Sequence, residues 1–315
     1  MSGRPHVLVT RRVPTSVVER LRAHVEVDLH EGPDDLTRDE LLRRVAGKQA
    51  LMPVLTNTVD ATLLDAGREL RIVANIAVGY DNVDIAAAAA RGIVVTNTPD
   101  VLTEAVADFT MALILAVTRR VGEGERLLRS GRWTGWALDF MLGMELRGKQ
   151  LGIVGCGRIG QAVARRAEAF GMRIAYADST TRGIGDRLSL DELLVSSDVV
   201  SLHVPLSAAT RHLIDRRALA RMKRSAYLVN TSRGPVVDEA ALAWALGEHL
   251  IAGAALDVFE HEPAIHEGLL GLENVLLVPH LGSATRETRT AMADLAARNV
   301  IAVLNGDPPL TPITS

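Results

Sequence analysis

Lys149-Gln-Leu-Gly-Ile-Val-Gly-Cys-Gly-Arg-Ile-Gly-Gln-Ala-Val-Ala164 decides the fold of this 315-residue chain. An apolar run, Leu151, Ile153 and Val154, leads into Gly155-x-Gly157-x-x-Gly160, and an alanine-rich helical pattern follows. Gly155 suits a tight turn from strand to helix, Gly157 lets a pyrophosphate approach the backbone, and Gly160 lets the helix pack closely on the strand. The free N–H groups at the helix start then face the phosphate charge. With a strand before it and a helix after it, the turn Gly155, Cys156, Gly157, Arg158, Ile159 and Gly160 reads as a dinucleotide-binding site.

Outward from the turn, apolar runs alternate with helical patterns. Strands are expected at Leu151–Val154, Arg173–Ala177, Val199–Leu202, Ala226–Asn230, Ala252–Leu256 and Val275–Val278, with helices between them, notably Arg158–Phe170 and Asp238–Glu248. This is the six-strand pattern of a dinucleotide-binding domain. The first hundred residues repeat the alternation on a smaller scale. Strands are expected at His6–Thr10, Ala50–Leu55, Arg71–Asn75 and Ile93–Thr96, and helices at Thr15–Ala23, Leu36–Val45, Asp60–Ala66 and Asp84–Arg91. A long helix from Thr103 to about Arg119 follows, then an irregular stretch, Glu123–Gly148, carrying Trp133 and Trp136. The last helix, Thr285–Asn305, comes after the second series is complete and can return to the first unit. The expected fold is α/β: two Rossmann-like, doubly wound parallel-sheet domains with a cleft between them. Residues 1–100 with 285–315 form the substrate domain, and 101–284 the dinucleotide-binding domain.

Composition agrees with this class. Hydrophobic residues make up 48% of the chain but aromatics only 3%, so Ala, Val, Leu and Ile fill the cores, as suits helices packed on buried parallel sheets. The net charge of −3, with acids and bases mixed, lacks the basic footprint of a nucleic-acid binder. The single cysteine, Cys156, excludes an internal disulfide and suits a reducing compartment. In the turn it reads as a small apolar residue more readily than as a redox group. The N-terminus lacks a signal-peptide pattern, and Met111–Val117 is too short to span a bilayer. A soluble, cytoplasmic protein with no membrane partner and no metal site is expected.

Asp178 ends the strand at 173–177, about 20 residues beyond the turn, where a carboxylate accepts the ribose hydroxyls of NAD and repels the extra phosphate of NADP. Arg182 is close enough to offset that repulsion, so NAD(H) is the expected cofactor and NADP(H) stays open. Three more polar residues lie past expected strands: Arg233, Glu262 and His280. Ligands of open α/β sheets bind at that rim. Arg233 can hold a carboxylate with two parallel hydrogen bonds. His280 can protonate a carbonyl oxygen, and Glu262 beside it would favour the imidazolium. Singly, each has an ordinary reading: a buried turn histidine, a solvated loop acid, a structural ion pair. Together in a chain with a nucleotide turn, they read as a catalytic set.

Several motifs carry a resemblance that runs nearly end to end. They are Ala77-Val-Gly-Tyr-Asp-Asn-Val-Asp84, Thr96-Asn-Thr-Pro-Asp-Val-Leu-Thr-Glu-Ala105, Leu146-Arg-Gly-Lys149, Val229-Asn-Thr-Ser-Arg-Gly-Pro235, Ala255-Leu-Asp-Val-Phe259 with Glu262-Pro263, and Pro279-His-Leu-Gly-Ser283. The chain resembles the D-isomer-specific 2-hydroxyacid dehydrogenases. The resemblance implies Arg233, Glu262 and His280 as the catalytic set, and backbone N–H groups of Val78 and Gly79 as holders of the substrate carboxylate. It implies Asp257 at the nicotinamide carboxamide, and Thr103, Thr231, His280 and Gly282 along the cofactor. Asp257 as a turn acid and Thr103 as a helix N-cap remain alternatives.

Within the family the chain is similar to the glyoxylate/hydroxypyruvate reductases, on Val54-Leu-Thr56, Ala74–Tyr80 and Gly131-Arg-Trp-Thr-Gly-Trp136. Leu55 would then touch a short substrate side chain. Many of those reductases carry basic residues where this chain has Asp178, and a proline where it has Ala137. The implied reaction is hydride transfer between NAD(H) and a small 2-oxo or D-2-hydroxy acid. Family likeness also implies a homodimer built through the long helix and the Trp segment, with Trp136 reaching a neighbouring subunit or serving an ordinary interface or core role. A phosphoglycerate dehydrogenase or a formate dehydrogenase fits less well, since the added segments of those enzymes are not seen. A broad 2-oxo-acid reductase and an NAD(H)-sensing corepressor-like binding protein stay as alternatives.

Overall fold

The computed structural model describes residues 3–179 and 183–313. Arg182, weighed above for NADP(H), lies outside the described residues. The chain divides into two compact units, one from residues up to Leu102 together with those from Thr285 on, the other Thr103–Ala284.

The smaller unit is a five-stranded sheet of β1 (His6–Val9), β2 (Glu26–Leu29), β3 (Ala50–Met52), β4 (Ile72–Ala74) and β5 (Val94–Thr96), in the order β2-β1-β3-β4-β5. Every pairing is parallel. Alternate side chains of the strands go to opposite faces, as the pleat requires. Val7, Val9, Ala50, Met52, Ile72 and Ala74 pack with Ala293, Ala296 and Val300 of the helix Arg286–Asn305. Leu8, Leu51, Val73 and Val95 pack on the other side with Leu41, Leu63, Leu64 and Ala88. The helix at 286–305 thus belongs to the smaller unit, and Thr285 caps it by accepting a hydrogen bond from the Thr288 amide.

The larger unit is a seven-stranded sheet of β6 (Gln150–Val154), β7 (Arg173–Ala177), β8 (Asp186–Arg187), β9 (Val199–Leu202), β10 (Tyr227–Asn230), β11 (Gly253–Leu256) and β12 (Val275–Leu277). Its order is β12-β11-β10-β9-β6-β7-β8, again parallel throughout. Strand order reverses between β6 and β9, the place where open α/β sheets bind ligands. Leu151, Ile153, Val199, Val229 and Ala255 face the helices Thr103–Thr118 and Arg158–Ala169, while Val154, Val200, Leu202, Leu228 and Ala254 fill the opposite face.

Four local expectations need correction. β2 was not foreseen: Glu26-Val-Asp-Leu29 alternates and pairs with β1 on one side only, so it lacks the continuous apolar run of a central strand. β8 makes the second sheet seven strands rather than six; its two residues, both charged, carry no strand signal. β3 stops at Met52, because Pro53 has no N–H to give the ladder, and Val54 and Leu55 enter a turn. The stretch read as irregular from Glu123 begins with a helix, Val121–Arg129. Gly122 and Gly124 hide it from propensity, but Arg120 in the left-handed region restarts the chain, and ion pairs Arg120–Glu123, Arg126–Glu273 and Arg129–Glu125 brace it.

Among the described residues, no helix is long and apolar enough to cross a membrane, and no group of His, Cys, Asp and Glu is arranged to hold a metal ion.

Candidate active site

The glycine turn follows β6. Gly155 has φ 89°, and a Cβ there would meet the His203 backbone at 2.8 Å. A Cβ on Gly160 would lie 2.3 Å from the Gly155 carbonyl oxygen, so the helix start is pressed onto the turn. Gly157 is the opposite case, with open space where its side chain would be. It heads the helix Arg158–Ala169 without any side-chain cap. An uncapped helix N-terminus with open space before it can accept phosphate oxygens.

Asp178, just past β7, reaches back to the turn, and its Oδ2 accepts the Cys156 amide at 2.7 Å. Beside them a cavity of about 840 Å³ is lined by Gly155, Gly157, Asp178, Arg187, His203 and Pro205 among others. Arg187, from the unforeseen β8, donates to the Asp178 carbonyl at 3.0 Å. The bare helix end, the space at Gly157 and a nucleoside-sized cavity with a carboxylate at its wall together fit a dinucleotide. Cys156 itself is buried, and burial, aided by the Asp178 charge, pushes its thiol above the usual range. It stays a thiol and packs among apolar neighbours.

Sequence reasoning missed His203 in this cavity. It follows β9 and its Nε2 lies 2.8 Å from the Ser201 hydroxyl. Burial lowers its pKa from 6.5 to about 4. The unfolded chain therefore takes up a proton at this residue near pH 6.5 while the folded chain resists until about pH 4, so its contribution is present above pH 6.5 and is lost as pH falls through that window. Between pH 7 and pH 5 this costs about 2 kcal/mol. Urea titrations should show that loss in the wild type and a flatter profile in His203→Gln. Parallel profiles would mean that His203 titrates normally.

The chemistry-bearing side chains stand at the same strand ends. After β10, the buried Asn230 shapes the turn: its Oδ1 accepts the Ser232 amide at 3.0 Å and hydroxyl at 2.8 Å, and its Nδ2 donates to the Arg233 carbonyl at 3.0 Å. Gly234 lies so close to the next loop that a Cβ would fall 1.9 Å from the Phe259 carbonyl carbon. After β11, Glu262 Oε1 accepts the Phe259 amide at 3.0 Å and Oε2 lies 2.9 Å from His280 Nδ1. After β12, His280 has φ 52° and donates its amide to the Asp257 carbonyl at 2.9 Å.

Electrostatics joins the three. Burial alone would raise the Glu262 carboxyl, but the His280 hydrogen bond and charge, the Phe259 amide and the Arg233 charge outweigh it and hold it below the usual carboxylate range. An ionised Glu262 requires the proton on His280 Nδ1, which leaves Nε2 as the ring nitrogen turned to other partners. Asp257 differs from expectation in emphasis. It is 1% exposed, and its two oxygens accept the Leu281 and Gly282 amides at 2.5 and 2.8 Å, so it fastens the segment that carries His280. Burial raises its carboxyl despite those two bonds.

The remaining site residues fall in varied places. Thr231 Oγ1 lies 3.0 Å from Thr110 Oγ1 and so turns toward the helix 103–118, whose first residue is Thr103. Ile159 packs on the core beneath the turn.

The smaller unit offers a second polar feature at the ends of β4 and β5. The carbonyls of Ala77, Val78 and Gly79 are each held: by the Thr98 amide at 2.9 Å, Asn97 Nδ2 at 2.7 Å and Asn75 Nδ2 at 3.0 Å. A trans peptide sets its N–H opposite its C=O. The N–H groups of Val78, Gly79 and Tyr80 are thereby turned away from those partners, and among the described residues no acceptor meets them. Successive outward amides make an anion cradle. Leu55, 36% exposed, sits in the turn after β3, which Asn57 Oδ1 holds at the Val54 amide and Asn82 Nδ2 at the Val54 carbonyl.

Comparison with known proteins agrees. Residues 111–282 match the model of the D-isomer specific 2-hydroxyacid dehydrogenase NAD-binding domain. A glyoxylate reductase of Thermococcus onnurineus is 48% identical, covering 98% of this chain and 95% of that protein. One from Korarchaeum cryptofilum is 50% identical, covering 97% and 95%. An NADPH-dependent glyoxylate/hydroxypyruvate reductase of Sinorhizobium meliloti, solved with NADP and malonate, superposes with a TM-score of 0.87 at 41% identity, covering 99% of this chain and 97% of that one.

Proposed function

Because the chain belongs to the D-isomer specific 2-hydroxyacid dehydrogenase family, we propose that it reduces glyoxylate, hydroxypyruvate or a similarly short 2-oxo acid to the D-2-hydroxy acid. The observation that carries this reading is the 2.9 Å His280–Glu262 pair, with the Arg233 charge acting on it, at the strand ends that also bear the glycine turn.

A nicotinamide dinucleotide held at the glycine turn and beside Asp178 would supply the hydride. Arg233 grips the substrate carboxylate through a charge-assisted fork and polarises the neighbouring carbonyl. By the family resemblance, the outward amides of Val78 and Gly79 would take a substrate carboxylate, and Leu55 would limit the side chain that fits. His280 delivers a proton from Nε2 to the carbonyl oxygen. Glu262 stabilises the imidazolium before that transfer and fixes the ring's orientation. Asp257 holds Leu281 and Gly282 so that His280 keeps its place.

Asp178 favours NADH, since a 2′-phosphate would meet its carboxylate. A panel of short 2-oxo acids assayed with NADH and NADPH tests both levels. Turnover of glyoxylate or hydroxypyruvate is expected, with kcat/KM at least about tenfold higher for NADH, roughly 1.4 kcal/mol of discrimination. Equal or better rates with NADPH would remove the cofactor preference, and no turnover of any 2-oxo acid would remove the function.

Trp136 and Leu138, 79% and 83% exposed, with Leu128, Trp133 and Leu142, make an apolar surface suited to a second copy of the chain. Sedimentation as a monomer at micromolar concentration would count against that dimer. The protein acts in the cytoplasm, on small molecules rather than on nucleic acid or membranes.

A further inference from the structure

We propose that Glu239 is a positioning residue for the His280–Glu262 pair; the inference rests on the roles given to that pair above. Glu239 opens the helix Glu239–Gly247 and is only 4% exposed. A buried carboxylate needs strong partners, and this one has two main-chain N–H donors from one loop. Oε1 accepts the Glu260 amide at 2.5 Å and Oε2 the His266 amide at 3.0 Å. The segment between those two amides contains Glu262.

One buried side chain thus fastens the loop at both its ends. The attachment is reinforced on the Glu260 side, where the Glu239 amide donates to Glu260 Oε2 at 3.3 Å and Glu260 Oε1 lies 2.6 Å from His212 Nε2. Within the loop the Ala264 amide donates to the His261 carbonyl at 2.8 Å, so the enclosed chain is itself a tight turn. Glu262 has little freedom left, and its Oε2 meets His280 without having to be drawn from a mobile ensemble. Glu239 also follows closely on Arg233 and Gly234, and Gly234 lies against the backbone of Phe259 and Glu260. Its helix start therefore ties the turn of the guanidinium to the loop of the carboxylate.

Reaction rates are steep in such placements, since a misplacement of about 1 Å can cost on the order of 100-fold. Glu239→Ala is expected to lower kcat about 30-fold, with the 2-oxo-acid KM and the NADH Kd from fluorescence titration within about twofold of wild type. Glu239→Gln keeps an acceptor oxygen for one amide and should recover most of the loss. The deciding measurement is a double-mutant cycle with Glu262→Gln. If Glu239 works through Glu262, Glu239→Ala adds less than about twofold in the Glu262→Gln background. Equal fold losses in both backgrounds would overturn the proposal.

A second readout needs no turnover. The His280 Nδ1 proton, assigned by its disappearance in Glu262→Gln, should give a downfield proton resonance in the wild type that broadens in Glu239→Ala. If the alanine variant does not fold, Glu239→Gln should broaden the same resonance partially. A resonance unaltered in a folded Glu239 variant would refute the positioning role. A wild type that shows the effect but reduces no 2-oxo acid would instead refute the assigned function.

Discussion

His280→Ala is expected to lower kcat by a factor of about 100 or more while leaving NADH binding nearly intact, the usual cost of removing a positioned general acid. The split follows from the geometry. His280 is one of several residues on the larger unit's strand rim, whereas the phosphate-facing helix end, Gly157 and the Asp178 cavity lie after β6 and β7. Removing the imidazole takes away the proton donor and leaves Asp257 still fastening the segment through the Leu281 and Gly282 amides. Glu262 loses the strongest of the partners that hold its carboxyl low, and its burial is then offset only by the Phe259 amide and the Arg233 charge. A moderate fall in stability near neutral pH should accompany the kinetic loss. Fluorescence titration with NADH alongside steady-state rates checks both halves. An unchanged kcat would take His280 out of the mechanism.

Arg233→Gln should have the other large effect, a fall of about 1000-fold in kcat/KM. Two hydrogen bonds to a charged group contribute about 1.5–3 kcal/mol each, and their sum spans factors of about 10² to 10⁴. Both constants are expected to move: KM rises because the carboxylate loses its fork, and kcat falls because the carbonyl is less polarised. The turn should survive, since Asn230 shapes it through main-chain groups and Gly234 is packed against Phe259. Arg233→Lys keeps the charge without the planar fork and should restore only part of the activity. A loss below about fivefold in Arg233→Gln would show that the guanidinium does not touch substrate.

The sheets and most of their helices were legible because parallel strands buried on both faces leave continuous apolar runs, as at Ala50–Met52 and Ile72–Ala74. The helix ends were legible where a side chain caps them, as at Asp60, Asp84 and Thr285. What escaped was held by tertiary partners rather than by local pattern. Edge strands β2 and β8 carry polar residues, and the helix at 121–129 has two glycines in its first turn and is braced by ion pairs, one of them to Glu273 far along the chain. The candidate site divides in the same way. His280 and Glu262 lie 18 positions apart, and their types and places after strands suggested a pair that the fold brings to 2.9 Å. The double hold of Glu239 on its loop and the environment of His203 could not be read, because a carboxylate next to a helix cap and a histidine after a strand are ordinary in sequence. Asp257 entered through the family resemblance, with a turn acid as its ordinary alternative, and its attachment to Leu281 and Gly282 depends on where β12 delivers the chain.

The amides at Val78, Gly79 and Tyr80 owe their orientation to three carbonyls secured from behind. Every amino acid except proline brings the same N–H, so the carboxylate recognition proposed for these amides would be largely blind to what is written at positions 78 and 80. Drift could then repaint that patch without removing the outward amides. The vulnerable letters are Asn75 and Asn97, which hold the carbonyls of Gly79 and Val78, while Leu55 remains free to vary and so to retune which acid fits.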